Sequence, residues 1–106
     1  MRATLSQLEQ TIAQRRKADP SASYVAKLTA RGRGKIAQKL GEEAVEAVIA
    51  AMADDRSELI GESADLLFHL LVLLADCGVT LDDVLDELDR REGLSGLVEK
   101  ASRPAD

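Results

Sequence analysis

Two clusters of carboxylates stand out among the residues whose types and spacing could do chemistry. The first cluster holds Glu42, Glu43 and Glu46, and the second holds Glu62 and Asp65. Glu43 and Glu46 are three apart, Glu42 and Glu46 are four apart, and the second cluster again has a spacing of three, so that such pairs share a helix face. Apolar residues surround both clusters, and burying several carboxylates together is costly unless a cation compensates their charge. The pattern therefore favours a site for Mg²⁺, which takes oxygen ligands and binds substrate phosphates.

Two lysines, Lys35 and Lys39, precede the first cluster on the same predicted helix. Together with Glu42 and Glu46 they form one stripe at helical spacing. Cations followed by acids suit a polyphosphate that carries a metal ion, because lysine binds phosphate as a point charge. The simpler alternative is an ion pair of Lys39 with Glu42 or Glu43, which would stabilise the helix by only ~0.2–0.5 kcal/mol.

The single histidine and the single cysteine limit the other kinds of site. His69 follows Asp65 by four residues and shares its helix face. It is a candidate to orient a ligand carboxylate or to contact substrate, and the alternative is a polar residue at a subunit contact. One imidazole and one thiol exclude sites that need two histidines or several thiolates. Cys77 ends an apolar run and is expected to be buried as a small hydrophobe.

The elements that must position these residues are predicted to be about five helices, giving an all-α bundle. The predicted helices are a first from a Thr4 cap to about Lys17, a second capped by Ser21 or Ser23, a third over about 35–53, a fourth from an Asp54 or Asp55 cap to about Cys77, and a fifth from a Thr80 cap to about Glu92. Residues 31–34 (RGRG) are expected to be a flexible basic joint, because glycine allows positive φ. A single domain is expected over 1–106, with its core at about 4–92 and a tail over 93–106 that includes a short helix at 94–102.

The third and fourth predicted helices are apolar on nearly every side. A helix of this kind must be covered on every side, yet a chain of 106 residues has few other helices to do so. We therefore expect a homodimer that completes the bundle across a two-fold axis.

Charge and composition argue against several classes of partner. The chain carries 19 acids and 14 bases, with nine bases and two acids in 1–41 but eight acids and one base in 42–65. The acidic total argues against a DNA-backbone binder, and two aromatic rings are too few for a single-stranded nucleic-acid platform. No apolar run approaches the ~20 residues of a membrane span, and the lone cysteine fits a reduced cytoplasmic setting. The paired basic and acidic blocks indicate either one site that binds both anions and cations or solvated helix faces whose charge blocks arose by chance.

The motifs together resemble a known family. The acids of 42–46 and 62–65, separated by fifteen residues, resemble the metal signature of the all-α nucleoside-triphosphate pyrophosphohydrolases, the MazG-like superfamily. The segments 23–28 (SYVAKL), 35–41 (KIAQKLG) and 62–71 (ESADLLFHLL) narrow the resemblance to phosphoribosyl-ATP pyrophosphohydrolases, over about residues 5–92.

The resemblance implies Mg²⁺-dependent hydrolysis of phosphoribosyl-ATP to phosphoribosyl-AMP and pyrophosphate, the second step of histidine biosynthesis. The metal ligands that it implies are Glu43, Glu46, Glu62 and Asp65. The catalytic candidates are Glu42, Glu43 and Glu46, with Glu42 as an additional ligand or as the residue that orients or deprotonates water. The substrate-binding candidates are Lys35 and Lys39 for the phosphates, together with Arg31, Arg33 and His69. The scarcity of rings argues against an aromatic sandwich for the adenine.

Two alternatives stay open. A house-cleaning enzyme of the same superfamily would act on a nucleoside or deoxynucleoside triphosphate, although the context of residues 38–46 favours phosphoribosyl-ATP. A non-catalytic helical interaction module would carry the acids as a solvated or calcium-binding face. That second alternative leaves the apolar surroundings of the acids unexplained.

Overall fold

The computed structural model describes residues 2–92, and within that range every regular element is a helix. The helices are α1 (Thr4–Arg15), α2 (Tyr24–Arg31), α3 (Arg33–Met52), α4 (Arg56–Cys77) and α5 (Leu81–Arg91). The predicted all-α fold with five helices is confirmed, and the expected helix at 94–102 lies outside the described residues. No single helix in 2–92 is long and apolar enough to cross a membrane, although α4 and α5 pass that test together across a bend of 108°.

Side chains cap three of the helices at their first turns. Ser23 caps α2 and Asp55 caps α4, each accepting a hydrogen bond from the backbone N–H three residues later. Thr80 and Asp83 exchange two such hydrogen bonds in a capping box that starts α5. Of the caps that the sequence left open, Ser23 and Asp55 are therefore the ones used.

Several local predictions are wrong. Thr4 lies inside α1 instead of capping it, because the ladder of backbone hydrogen bonds already starts at the residue before it. The predicted joint shrinks to Gly32, with φ 96°, because its carbonyl accepts the first hydrogen bonds of α3. Gly34 is therefore helical, and the four-residue flexible segment is absent from the structure. Cys77 is exposed, since it lies on the solvent side of the last turn of α4.

The helices α3 and α4 form an antiparallel hairpin around a tight turn at 53–55. Asp54 takes a left-handed conformation with φ 55°. Its N–H bonds to the carbonyl of Ala51, and the N–H of Asp55 bonds to the carbonyl of Ala50. This pair of hydrogen bonds is a Schellman motif, which ends α3 and lets Asp55 start α4 at once. The turn thereby fixes which residues of the two helices face each other.

The hydrophobic core lies at the end of the hairpin that is remote from this turn, and all five helices contribute to it. Its buried members are Ile12, Val25, Leu28, Ile36, Leu71, Val72 and Leu81. Polar contacts tie the same end together. Asp76 accepts hydrogen bonds from Arg16 and Arg33, and Glu9 of α1 accepts one from the N–H of Leu81.

The hairpin half near the turn leaves large apolar side chains exposed on both helices. They are Val45, Val48, Ile49, Met52, Ile60 and Leu67, which are between 45% and 79% exposed. This is the uncovered apolar surface that a second subunit would have to bury.

Gly78 ends α4 with φ 71°, and a Cβ added there would meet no atom within 4 Å. The replacement Gly78→Ala therefore causes no steric clash with other residues and tests only the left-handed backbone conformation. We expect it to lower the free energy of unfolding by about 1–2 kcal/mol. The measurement is urea denaturation followed by circular dichroism.

Gly34→Ala is the matched control, because Gly34 also has open space around it but has helical dihedral angles. We expect this variant to raise the free energy of unfolding by up to about 1 kcal/mol. Equal effects of the two substitutions would contradict the conformational explanation.

Candidate active site

Three carboxylates from the facing helices of the hairpin come together near its middle. Glu43 of α3 and Glu62 and Asp65 of α4 each place one oxygen within 4.8 Å of the others. They meet because the tight turn sets the two helices antiparallel with these positions opposite each other. The structure therefore brings one member of the first acidic cluster against both members of the second.

Burial leaves two oxygens of this acidic triad without a partner. Glu43 is only 9% exposed. Its Oε2 and the Oε2 of Glu62 are buried and accept no hydrogen bond from the described part of the chain. Buried carboxylate oxygens in this state are destabilising unless a cation binds them. The donor set, oxygen only and from three carboxylates, fits a hard divalent cation such as Mg²⁺.

Glu62 is the carboxyl most strongly affected by this crowding. The nearby carboxylates of Glu46 and then of Glu43 favour its protonated form, desolvation and the carboxylate of Glu58 add to this, and its pKa rises to about 8. Glu46 therefore lies beside the acidic triad, next to Glu62. Glu58 is exposed but still close enough to act on Glu62, one turn away on the same face of α4.

Glu42 is exposed and is not a member of the acidic triad. Its carboxylate accepts hydrogen bonds from Gln38 Nε2 at 2.9 Å and from Lys39 Nζ at 3.2 Å. The hydrogen bond from Gln38, followed by that from Lys39, lowers the pKa of Glu42. The intrahelical ion pair that the sequence offered as an alternative for Lys39 is therefore present, whereas Lys35 forms no ion pair within residues 2–92.

Arg31 and Arg33, which the sequence placed in a flexible joint, lie away from the acidic triad. Arg33 donates to Asp76 through Nε at 2.8 Å and to the Asp76 carbonyl at 2.9 Å. It precedes Glu43 by ten residues, which is about 15 Å along α3. Arg31 is exposed at the last position of α2. Arg33 stays a predicted substrate contact, and reaching substrate would require its release from Asp76.

His69 is buried, at 5% exposed, and connects α4 to α2. Its Nδ1 lies 2.8 Å from the carbonyl oxygen of Asp65, and its Nε2 lies 3.0 Å from the hydroxyl of Tyr24. Because a carbonyl only accepts, Nδ1 carries the proton and Nε2 accepts from the Tyr24 O–H. The sequence placed His69 on this face, but Tyr24 is 45 residues away and local spacing cannot indicate the pair.

Comparison with known proteins points to one family. The profile of a family described as phosphoribosyl-ATP pyrophosphohydrolase matches residues 5–92. A protein of Rhizorhabdus wittichii named phosphoribosyl-ATP pyrophosphatase is 72% identical over 98% of both chains. Proteins of the same name from Erythrobacter litoralis and Gluconobacter oxydans are 66% and 59% identical over 94% of this chain, and the matches cover 96% and 75% of their own lengths.

The raised pKa of Glu62 predicts how the stability of the metal-free protein depends on pH. The fold keeps a proton on Glu62 up to about pH 8, whereas an ordinary glutamate loses it near 4.5. Because the folded state then binds more protons than the unfolded state, stability falls as the pH rises through this window. Thermal unfolding in the presence of a chelator should show a melting temperature that decreases from pH 5 to pH 8.

Glu62→Gln is the control, because glutamine does not titrate. The fall in melting temperature between pH 5 and pH 8 should be clearly smaller in this variant. A pH dependence identical to that of the unmodified protein would show that Glu62 is not its source.

Proposed function

The chain belongs to the phosphoribosyl-ATP pyrophosphohydrolase family, and on this basis we propose that it hydrolyses phosphoribosyl-ATP to phosphoribosyl-AMP and pyrophosphate. The reaction is a step of histidine biosynthesis, and we place it in the cytoplasm. The observation that carries the proposal is the acidic triad with its two unpartnered buried oxygens, which lies inside the matched residues 5–92.

The acidic triad of Glu43, Glu62 and Asp65 is proposed to hold Mg²⁺, with Glu46 beside it as a fourth ligand. When bound, Mg²⁺ supplies positive charge to the phosphate oxygens and lowers the pKa of water. The contribution of the chain is to keep the carboxylates in place before substrate arrives. The tight turn and the core at the opposite end of the hairpin provide this rigidity, because neither depends on the acids.

Glu42 is proposed to orient the attacking water. The hydrogen bonds from Gln38 and Lys39 lower its pKa, so it is a carboxylate at neutral pH and accepts a hydrogen bond from water. A carboxylate with a low pKa is a weak base, since general bases act best when their pKa lies near the working pH. The sequence left three roles open for Glu42, namely an additional metal ligand, orientation of water and deprotonation of water, and of the two roles toward water orientation is therefore favoured.

Lys35 and Lys39 are proposed to contact the phosphates. Both lie on the side of α3 that carries Glu42, and Lys39 is one turn from it. Cationic groups at this place would neutralise the triphosphate and the pyrophosphate that leaves when the α–β anhydride breaks.

We also propose that the protein is a homodimer. The hairpin half near the turn, here called the hairpin tip, carries the exposed apolar residues. They lie at helical spacing on α3, at 45, 48, 49 and 52, and recur on α4 at 60 and 67. A second copy of the same surface would bury them and complete a bundle around the tip.

Substituting the predicted ligands tests the catalytic proposal. Glu46→Gln and Asp65→Asn keep size but remove charge, and each should lower kcat by about 10²-fold or more while the helical circular dichroism spectrum is unchanged. Activity is measured as pyrophosphate released from phosphoribosyl-ATP with Mg²⁺, and a chelator should stop it.

Asp86→Asn is the matched control, because Asp86 is an exposed acid on α5, away from the acidic triad. It should retain full activity. Full activity of both ligand variants, or release of single orthophosphate, would contradict the proposed mechanism.

The dimer is tested by placing a charge on the hairpin tip. Val48→Arg should convert a dimer into a monomer in light scattering at micromolar concentration, because Val48 is 60% exposed and would lie in the interface. Leu88→Arg, at a residue that is 55% exposed on α5, should leave the dimer intact. A folded 11.4 kDa monomer in the unmodified protein would disprove the proposal.

A further inference from the structure

We propose that the outer face of α2 binds the phosphoribosyl-adenine end of the substrate and so distinguishes phosphoribosyl-ATP from ATP. The face consists of Tyr24, Lys27 and Arg31. Tyr24 stacks on the base, while Lys27 and Arg31 bind the monoester phosphate that ATP lacks. The inference rests on the proposed function, because it assigns the part of the same substrate that lies beyond the triphosphate.

The helix α2 divides sharply into two sides. Tyr24, Lys27 and Arg31 recur at three and four residues and are exposed, which places them on one face. The residues between them, Val25 and Leu28, are 3% exposed and belong to the core. Neither Lys27 nor Arg31 forms a hydrogen bond or an ion pair with another side chain in residues 2–92. Two cations without a partner on one face form a site for a phosphate.

All the aromatic side chains of the chain, counting histidine, lie close together at the start of this face. The sequence contains one tyrosine, one phenylalanine, one histidine and no tryptophan. The centroid of Tyr24 lies 6.1 Å from that of Phe68 and 5.9 Å from that of His69, and Phe68 and His69 are 5.1 Å apart. The cluster lies beside the acidic triad, since His69 is one turn along α4 from Asp65.

Tyr24 is held in a fixed orientation and is still accessible. Its hydroxyl bonds to the buried Nε2 of His69 and its ring packs against Phe68, while the residue is 48% exposed. A ring that is held before the ligand arrives loses little freedom on binding. It offers a base a single stacking partner, in agreement with the argument against an aromatic sandwich.

The order of these groups along the protein follows the order of groups in the substrate. From Asp65 to His69 is about 6 Å along α4, and from Tyr24 to Arg31 is about 10 Å along α2. Lys39 precedes Glu43 of the acidic triad by four residues, which is about 6 Å along α3. Arg31 lies at the end of α2 that is remote from the acidic triad. Only Gly32 separates it from Arg33 at the start of α3, ten residues before Glu43. The triphosphate would therefore lie at the carboxylates and Lys39. The adenine would lie at the ring of Tyr24, and the second phosphate at Lys27 and Arg31.

The test compares the two products as inhibitors of phosphoribosyl-ATP hydrolysis. Phosphoribosyl-AMP contains the base and the monoester phosphate, whereas pyrophosphate contains neither. In Lys27→Ala, both the KM for phosphoribosyl-ATP and the inhibition constant of phosphoribosyl-AMP should rise about tenfold, as expected for a lost charge-assisted hydrogen bond. The inhibition constant of pyrophosphate and kcat should stay unchanged.

Variants of Tyr24 separate stacking from anchoring. Tyr24→Leu should weaken inhibition by phosphoribosyl-AMP, whereas Tyr24→Phe keeps the ring and should retain most of the affinity. Lys27 is exposed, so its variant keeps the test valid even if Tyr24→Leu fails to fold. Lys17→Ala removes an exposed charge next to α1 and serves as the control for total charge.

The inference is overturned if Lys27→Ala leaves the KM and the phosphoribosyl-AMP inhibition constant within about twofold of the unmodified protein. It is equally overturned if Lys17→Ala has the same effect, or if pyrophosphate inhibition weakens in parallel. Failure of the proposed function looks different, because the unmodified protein would then release no pyrophosphate from phosphoribosyl-ATP, and both proposals would fall together.

Discussion

The close approach of three carboxylates across the α3–α4 hairpin is the constraint that the rest of the structure has to satisfy. Like charges at this distance repel one another, and burial adds to the unfavourable free energy. The hairpin must therefore be held in one register by contacts elsewhere. The Schellman turn with Asp54 fixes one end, and the hydrogen bonds of Arg33 with Asp76 fix the other.

This requirement divides the hairpin into two halves with different tasks. The half remote from the turn packs against α1, α2 and α5 and contains the buried core. The half near the turn carries exposed apolar residues on both outer sides, and the acids lie between the two halves. A chain of 106 residues buries too little surface to stabilise both halves equally. The first half therefore stabilises the fold, and the second leaves its apolar surface exposed.

Features set by neighbouring residues could be predicted from the sequence, and features set by packing could not. The helices follow from hydrophobic periodicity, the Thr80 cap from its residue type, and the grouping of acids on one side of each helix from their spacing. Glu42 accepts hydrogen bonds from Gln38 and Lys39, and spacing alone does not decide whether these bonds form. The partners of His69 and Arg33 lie 45 and 43 residues away, so only the packed structure selects them.

The two-sided character of α2 has a consequence for how enzymes of this kind diverge. Its inner residues, Val25 and Leu28, belong to the core and tolerate little change. Its outer residues Lys27 and Arg31 are exposed and form no hydrogen bond or ion pair with another side chain in residues 2–92, so they can change without loss of the fold. Under the role proposed for this face, substrate range can therefore change at exposed residues of α2 while the acidic triad stays the same.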